Sequence, residues 1–125
     1  MKKRVKGIHL SWIVVNDIEA AVKFYTETLG LTLHTIDKQF GWAELSGPDG
    51  ATLGVSQANP DYDLIAGTNA VVTITVDDLL EAKSDYLKKG GKTVGEMMEI
   101  PGHVKLQTIQ DIDGNTLQLV QTLSE

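Results

Sequence analysis

Apolar residues along this chain follow a strand rhythm, then a helix rhythm, then short strands, and the whole series occurs twice. Residues 8–15 form an apolar run rich in β-branched side chains, which predicts a strand. Asn16-Asp17 then offers a helix N-cap, with Glu19 three residues after Asn16 as a capping box requires. Ile18, Ala21, Val22, Tyr25 and Leu29 recur at helical spacing, and Gly30 ends the helix. Strands are predicted at 32–37, 40–46 and 51–57. The second series starts with a β-branched run at 70–76. Asp77-Asp78 caps the next helix, whose apolar stripe is Leu79, Ala82, Tyr86 and Leu87, and Gly90-Gly91 stops it. Strands follow at 92–94, weakly at 97–100, then at 104–110 and 116–122.

The two series match residue by residue. Placing Val15 on Val76 sets Tyr25 on Tyr86 and Asp17 on Asp78. Later, Asp49-Gly50-Ala51-Thr52-Leu53 is echoed by Asp113-Gly114-Asn115-Thr116-Leu117, and both stretches end on a glutamine, Gln57 and Gln121. Both Asp-Gly pairs predict hairpin turns, where glycine accepts the positive φ required. The Pro-, Gly- and Asp-bearing stretch at about 58–68 predicts a linker. The expected organisation is one domain of two βαβββ modules, at about 7–57 and 69–122. A module of this size has little core alone, so the two are expected to pair.

Composition narrows the function more than the fold. The net charge is −6 and the pI about 4.9, which argues against nucleic acid, whose recognition needs a basic footprint. The same negative field attracts small cations. No apolar run is long enough for a membrane span. The basic start Met1-Lys2-Lys3-Arg4 precedes only a short apolar stretch interrupted by His9 and Ser11, so no signal peptide is expected and the cytoplasm is the expected location. The chain has no cysteine, which removes disulfides and thiolate chemistry. Phosphate-binding loops, dinucleotide-binding glycine patterns and the nucleophile-elbow motif are also missing from the sequence.

The chain resembles the glyoxalase / bleomycin-resistance / extradiol-dioxygenase (vicinal oxygen chelate) superfamily from about Gly7 to Thr122. The resemblance rests on Val15-Asn16-Asp17-Ile18-Glu19-Ala20-Ala21 leading to Phe24-Tyr25 and Leu29-Gly30-Leu31. It rests also on Val76-Asp77-Asp78-Leu79 and on Asp111-Ile112-Asp113-Gly114-Asn115, where the family usually has proline in place of Ile112. It implies an α+β fold in which two tandem βαβββ modules form an open, cup-shaped mixed β-sheet with flanking helices, commonly as a homodimer, and bind a ligand inside. In metal-dependent members four His, Glu or Gln residues ring the cup floor, since a divalent ion needs nitrogen or oxygen donors. Carried onto this chain, those positions are Leu10, Gly54, Val71 and Gln118, and three of the four have no ligating side chain. No metal cofactor is therefore expected.

Alternatives hang on a few residues. His9 stands one residue from the expected ligand position, and strand alternation turns it to the other face unless a bulge rotates it back. With His103, in a loop after Pro101-Gly102, and Gln118, it makes the alternative metal set; His34 is expected at the surface. The expected ligand-binding face carries Leu10, Trp12, Trp42, Glu44, Gly54, Val71, Thr73 and Gln118. Trp12 and Trp42 suit stacking on flat rings or covering a cation, although Trp12 could equally serve to pack the core. Glu44, the candidate catalytic residue, faces the cup if Ala43 and Leu45 face the helix, and would act as a counter-ion or general base. The leading expectation is a metal-independent protein sequestering an aromatic or cationic small organic molecule. The alternative is a glyoxalase-like metal-dependent lyase, isomerase or dioxygenase.

Overall fold

The computed structural model describes residues 9–62, 64–67 and 71–123; the expected strand starts at residues 8 and 70, and parts of the expected linker, lie outside them. The first module runs β1 (Ser11–Val15), α1 (Ile18–Lys23), a π-helical turn (Phe24–Thr28), β2 (Thr32–Asp37), β3 (Trp42–Ser46) and β4 (Leu53–Gln57). The second runs β5 (Val72–Thr75), α2 (Leu79–Lys88), β6 (Lys92–Ile100), β7 (Val104–Gln110) and β8 (Thr116–Thr122). Each module contributes one four-stranded sheet, ordered β1-β4-β3-β2 and β5-β8-β7-β6. The first and last strands of each module pair in parallel and the rest antiparallel. The fold is α+β, with two βαβββ modules.

Local chemistry explains the helix starts, with one correction. The N-cap of α1 is Asp17, whose Oδ1 accepts from the N–H groups of Glu19 (3.0 Å) and Ala20 (3.2 Å). Asn16 is not the cap. Its side-chain amide donates instead to Asp113 Oδ1 (2.8 Å), in the other module. Asp78 caps α2 through Glu81 N–H (3.1 Å). The repeated glutamines supply a second cap that the helical spacing does not reveal. Gln57 Oε1 accepts from Ile18 N–H (3.2 Å) and Gln121 Oε1 from Leu79 N–H (2.9 Å). In each module the end of the last strand thus satisfies an N–H that a helix start leaves without an intrahelical partner. Replacing either glutamine with alanine is expected to cost about 1 kcal/mol, with the glutamate variant close to wild type because it keeps the acceptor and favours the helix dipole. Urea unfolding midpoints check this, and an alanine variant as stable as wild type would contradict it.

Two irregularities separate the modules. The π-helical turn gives the first helix one more residue than the second, so Leu31 N–H returns to Tyr25 carbonyl where Gly91 N–H returns to Tyr86. The pieces expected at 92–94 and 97–100 form a single strand, β6, whose register shifts between Val94 and Met98. Gly95, at φ +68°, takes the conformation the bulge requires.

The core lies on the helix side of both sheets and is shared. Ile13, Val15, Ala43, Leu45, Leu53 and Val55 of the first sheet join Leu79, Tyr86, Ile109, Leu117 and Leu119 of the second. Phe24 meets Tyr86 edge-on at 6.2 Å. The modules of one chain therefore pack on each other, a point the repeat alone leaves open.

Candidate functional site

Once the core claims one face of each sheet, alternation fixes what the other face presents. In the first sheet Ala43, Leu45 and Val55 point inward, so Trp42, Glu44 and Gly54 stand on the open face. Strand register arranges that face in two rows. One row runs Thr35, Glu44, Gly54, Trp12 across the four strands, and the next runs Asp37, Trp42, Ser56, Val14.

Gly54 sits at the centre because the Trp42 indole crosses it diagonally. A Cβ at Gly54 would stand 2.7 Å from Trp42 Cζ2 and 2.8 Å from Trp12 Cβ, and would collide with Trp42 Cη2. Only a residue without a side chain lets the ring lie there. Trp42 Nε1 donates to Glu44 Oε2 at 2.9 Å, two residues along the same strand. Trp12 meets Trp42 with ring centroids 5.8 Å apart and planes inclined at 65°. Four residues expected at the site, Trp12, Trp42, Glu44 and Gly54, thus form one contacting group. Trp12 is 42% exposed, which distinguishes it from a side chain spent on core packing. Leu10, just before β1, is half-buried.

The remaining expected residues belong to the second sheet. Thr73 pairs with Gln118, which pairs with Thr108, which pairs with Val94; the adjoining row runs Thr75, Val120, Leu106, Met98. Gln118 thus occupies the place in its sheet that Gly54 occupies in the first. Val71 and Thr73 also line a cavity of about 230 Å³ between the modules, with Ser11, Leu31, Ser46 and Thr52. It adjoins a second of about 470 Å³ beside the Asp49-Gly50 turn. The expected set is therefore divided between two walls, one aromatic and acidic, the other apolar and hydroxylic.

The histidines do not converge. His9 and His103 are exposed, and among the described residues no group of three or more His, Cys, Asp or Glu is arranged to hold a metal ion. His34 is at the surface, with one feature the sequence hides: its Nε2 pairs with Ser46 Oγ, at the end of the strand that carries Trp42 and Glu44. Alternation from Thr32, which pairs with Ser46, puts it on that face, and the bulge between Leu33 and Thr35 brings the residues after it to the same face. Thr35 and Asp37 likewise join the site rows without having been singled out from the sequence.

A polar clasp ties the modules beneath this surface. Asp111 Oδ2 accepts from the Tyr25 hydroxyl (2.8 Å) and from Asn115 Nδ2 (2.9 Å), and Asp111 Oδ1 from the N–H groups of Asp113 (2.9 Å) and Asn115 (2.8 Å). Asn115 Nδ2 also reaches the Val14 carbonyl (3.0 Å) on β1. Tyr25, Asp111 and Asn115 are all buried. Burial, and then the negative Asp111, hold the Tyr25 hydroxyl well above the usual tyrosine range.

Comparison with known structures agrees with this architecture. TnmS3, an antibiotic binding protein from Streptomyces sp. CB03234, superposes with a TM-score of 0.77 at 20% identity, covering 97% of this chain and 99% of that one. A glyoxalase/bleomycin resistance protein/dioxygenase superfamily member from Sphaerobacter thermophilus gives 0.74 at 24% identity, over 94% and 98%. TioX from Micromonospora sp. ML1 gives 0.72 at 18% identity, over 94% and 100%. At these identities the likeness establishes the fold. A search of curated proteins finds no match to the sequence. Residues 7–119, however, match the model of the Glyoxalase/Bleomycin resistance protein/Dioxygenase superfamily, and the chain belongs to that superfamily.

Proposed function

We propose that this protein binds and sequesters an aromatic or cationic small organic molecule in the cytoplasm, without a metal ion and without turning the molecule over. The observation that carries the reading is the Trp12–Trp42–Glu44 group over Gly54. At the position where the family resemblance places a metal ligand, the chain has a bare backbone covered by an indole ring. Aromatic surface with one oriented polar group suits an organic ligand better than an ion. The antibiotic-binding description of TnmS3 points the same way.

The cup is complete in a homodimer. Val71, Met98 and Ile100 on the second wall are 60%, 63% and 47% exposed, leaving apolar area for the first wall of another copy to face. Light scattering of the purified protein reads this directly.

Elemental analysis and titration with nickel, zinc, iron and manganese test the reading. Expected is no stoichiometric ion, together with a rise of several degrees in melting temperature on saturation with a flat aromatic compound. One ion bound per chain at a fixed place would overturn this reading in favour of the metal-dependent lyase, isomerase or dioxygenase alternative.

A further inference from the structure

We propose that the first wall selects ligands in which flat aromatic area and positive charge occur in one molecule, with Glu44 as the counter-ion rather than as a base. This rests on the preceding assignment of that face as a ligand site and narrows its occupant. The argument starts from the charge inventory of the wall. Its four strands contain Asp37 and Glu44 as acids, His34, and no lysine or arginine. The nearest lysine in sequence, Lys38, is engaged by Glu19 at 2.8 Å. Among the described residues Glu44 has no cation within ion-pair distance.

A half-buried carboxylate beside two indoles, held by one N–H, is stable but incompletely compensated. The Trp42 N–H fixes Oε2 and leaves Oε1 for a further partner. Asp37, one row away beside Trp42, uses Oδ1 to accept from Phe40 N–H and adds a second negative charge. The indole planes meet at 65° and form a corner. A flat ring stacks on one plane, and a positive charge is drawn to the electron-rich face of the other. The second wall is neutral along the rows of Thr73, Gln118, Thr75 and Val120, and the two charged residues on the same face of its outer strand, Lys92 and Glu96, are of opposite sign, so that wall adds no net charge to compete with Glu44. The chain's net charge of −6 adds long-range attraction of the same sign.

A matched probe pair tests the claim: N-methylacridinium, and acridine under mildly alkaline conditions where it is neutral. The two share one ring system and differ in charge. Binding is measured by calorimetry on wild type, Glu44→Gln and Trp12→Ala. Wild type is expected to prefer the cation by about tenfold or more, a preference that Glu44→Gln abolishes while keeping the acceptor for the Trp42 N–H. Affinity for the cation is expected to fall with added salt, and affinity for acridine to hold steady. Trp12→Ala should weaken both. Equal affinity for the two probes, or a preference that survives in Glu44→Gln, overturns this inference and leaves the aromatic-binding reading standing. Failure of both probes to bind wild type overturns both.

Discussion

Alanine at position 54 is expected to destroy the proposed ligand-binding corner while leaving the chain folded. The added Cβ falls 2.8 Å from Trp12 Cβ, an atom fixed by the backbone of the neighbouring strand, and 2.7 Å from Trp42 Cζ2. The strands cannot separate without breaking the parallel β1–β4 pairing, so the indole of Trp42 has to move. It then gives up its N–H bond to Glu44 and its edge contact with Trp12. The two indoles and the carboxylate form one unit, so the loss is expected to approach that of a central binding residue, about 2–3 kcal/mol or roughly 30- to 150-fold in affinity. The backbone at Gly54 is not in the left-handed region, so the cost to folding is steric only, about 1–3 kcal/mol. Near-ultraviolet circular dichroism and calorimetry against a flat aromatic probe read the two effects separately. If Gly54→Ala kept the indole signal and the affinity of wild type, the site would not be the Trp12–Trp42 corner.

Gly54 also marks where the sequence can be read and where it cannot. The βαβββ repeat is legible because its signals are local: β-branched runs, acidic caps, a helical stripe and Asp-Gly turns each act over a few residues. The face of each strand is legible because alternation follows directly from the pleat, which is why Trp42 and Glu44 could be assigned together. Less legible is anything that depends on a diagonal or an irregularity. That an indole would cross from the Trp42 row to cover Gly54 follows from the twist of the sheet and the ring's length, and no periodicity encodes it. Thr35 and Asp37 join the open face through a bulge that leaves no composition signal. The capping glutamines were visible only as an unexplained repetition. Their role depends on the parallel pairing of the first and last strands, which brings the end of β4 to the start of α1 and the end of β8 to the start of α2. The clasp has the same character. Asp111 and Asn115 flank a turn that the other module writes as Gly47 and Ala51, and this asymmetry in an otherwise close repeat was its one trace in the sequence.

That clasp carries the largest expected effect on stability. Asp111→Ala removes the acceptor of four hydrogen bonds at once, and two of the donors, the Tyr25 hydroxyl and the Asn115 amide, are buried. At about 1–3 kcal/mol for each of the two buried groups, the cost is about 2–6 kcal/mol, a large share of the 5–15 kcal/mol typical of a domain. A fall in melting temperature of about 15 °C is expected. Tyr25→Phe is far milder, because Asp111 keeps three of its four donors. It has its own signature in alkali. The unfolded tyrosine gives up its proton near pH 10, whereas the folded one, raised by burial and by Asp111, keeps it. Above about pH 10 the native state therefore binds one more proton than the unfolded state, and stability falls by about 1.4 kcal/mol for each further pH unit. Tyr86, also raised chiefly by burial, adds a smaller slope of the same sign. Urea unfolding between about pH 9 and pH 11 should show the decline in wild type and a shallower one in Tyr25→Phe. Identical slopes in the two proteins would mean that the Tyr25 hydroxyl is neither buried nor held by Asp111, and that the joint between the modules rests on the shared apolar core and the bonds of Asn16 and Asn115 without it.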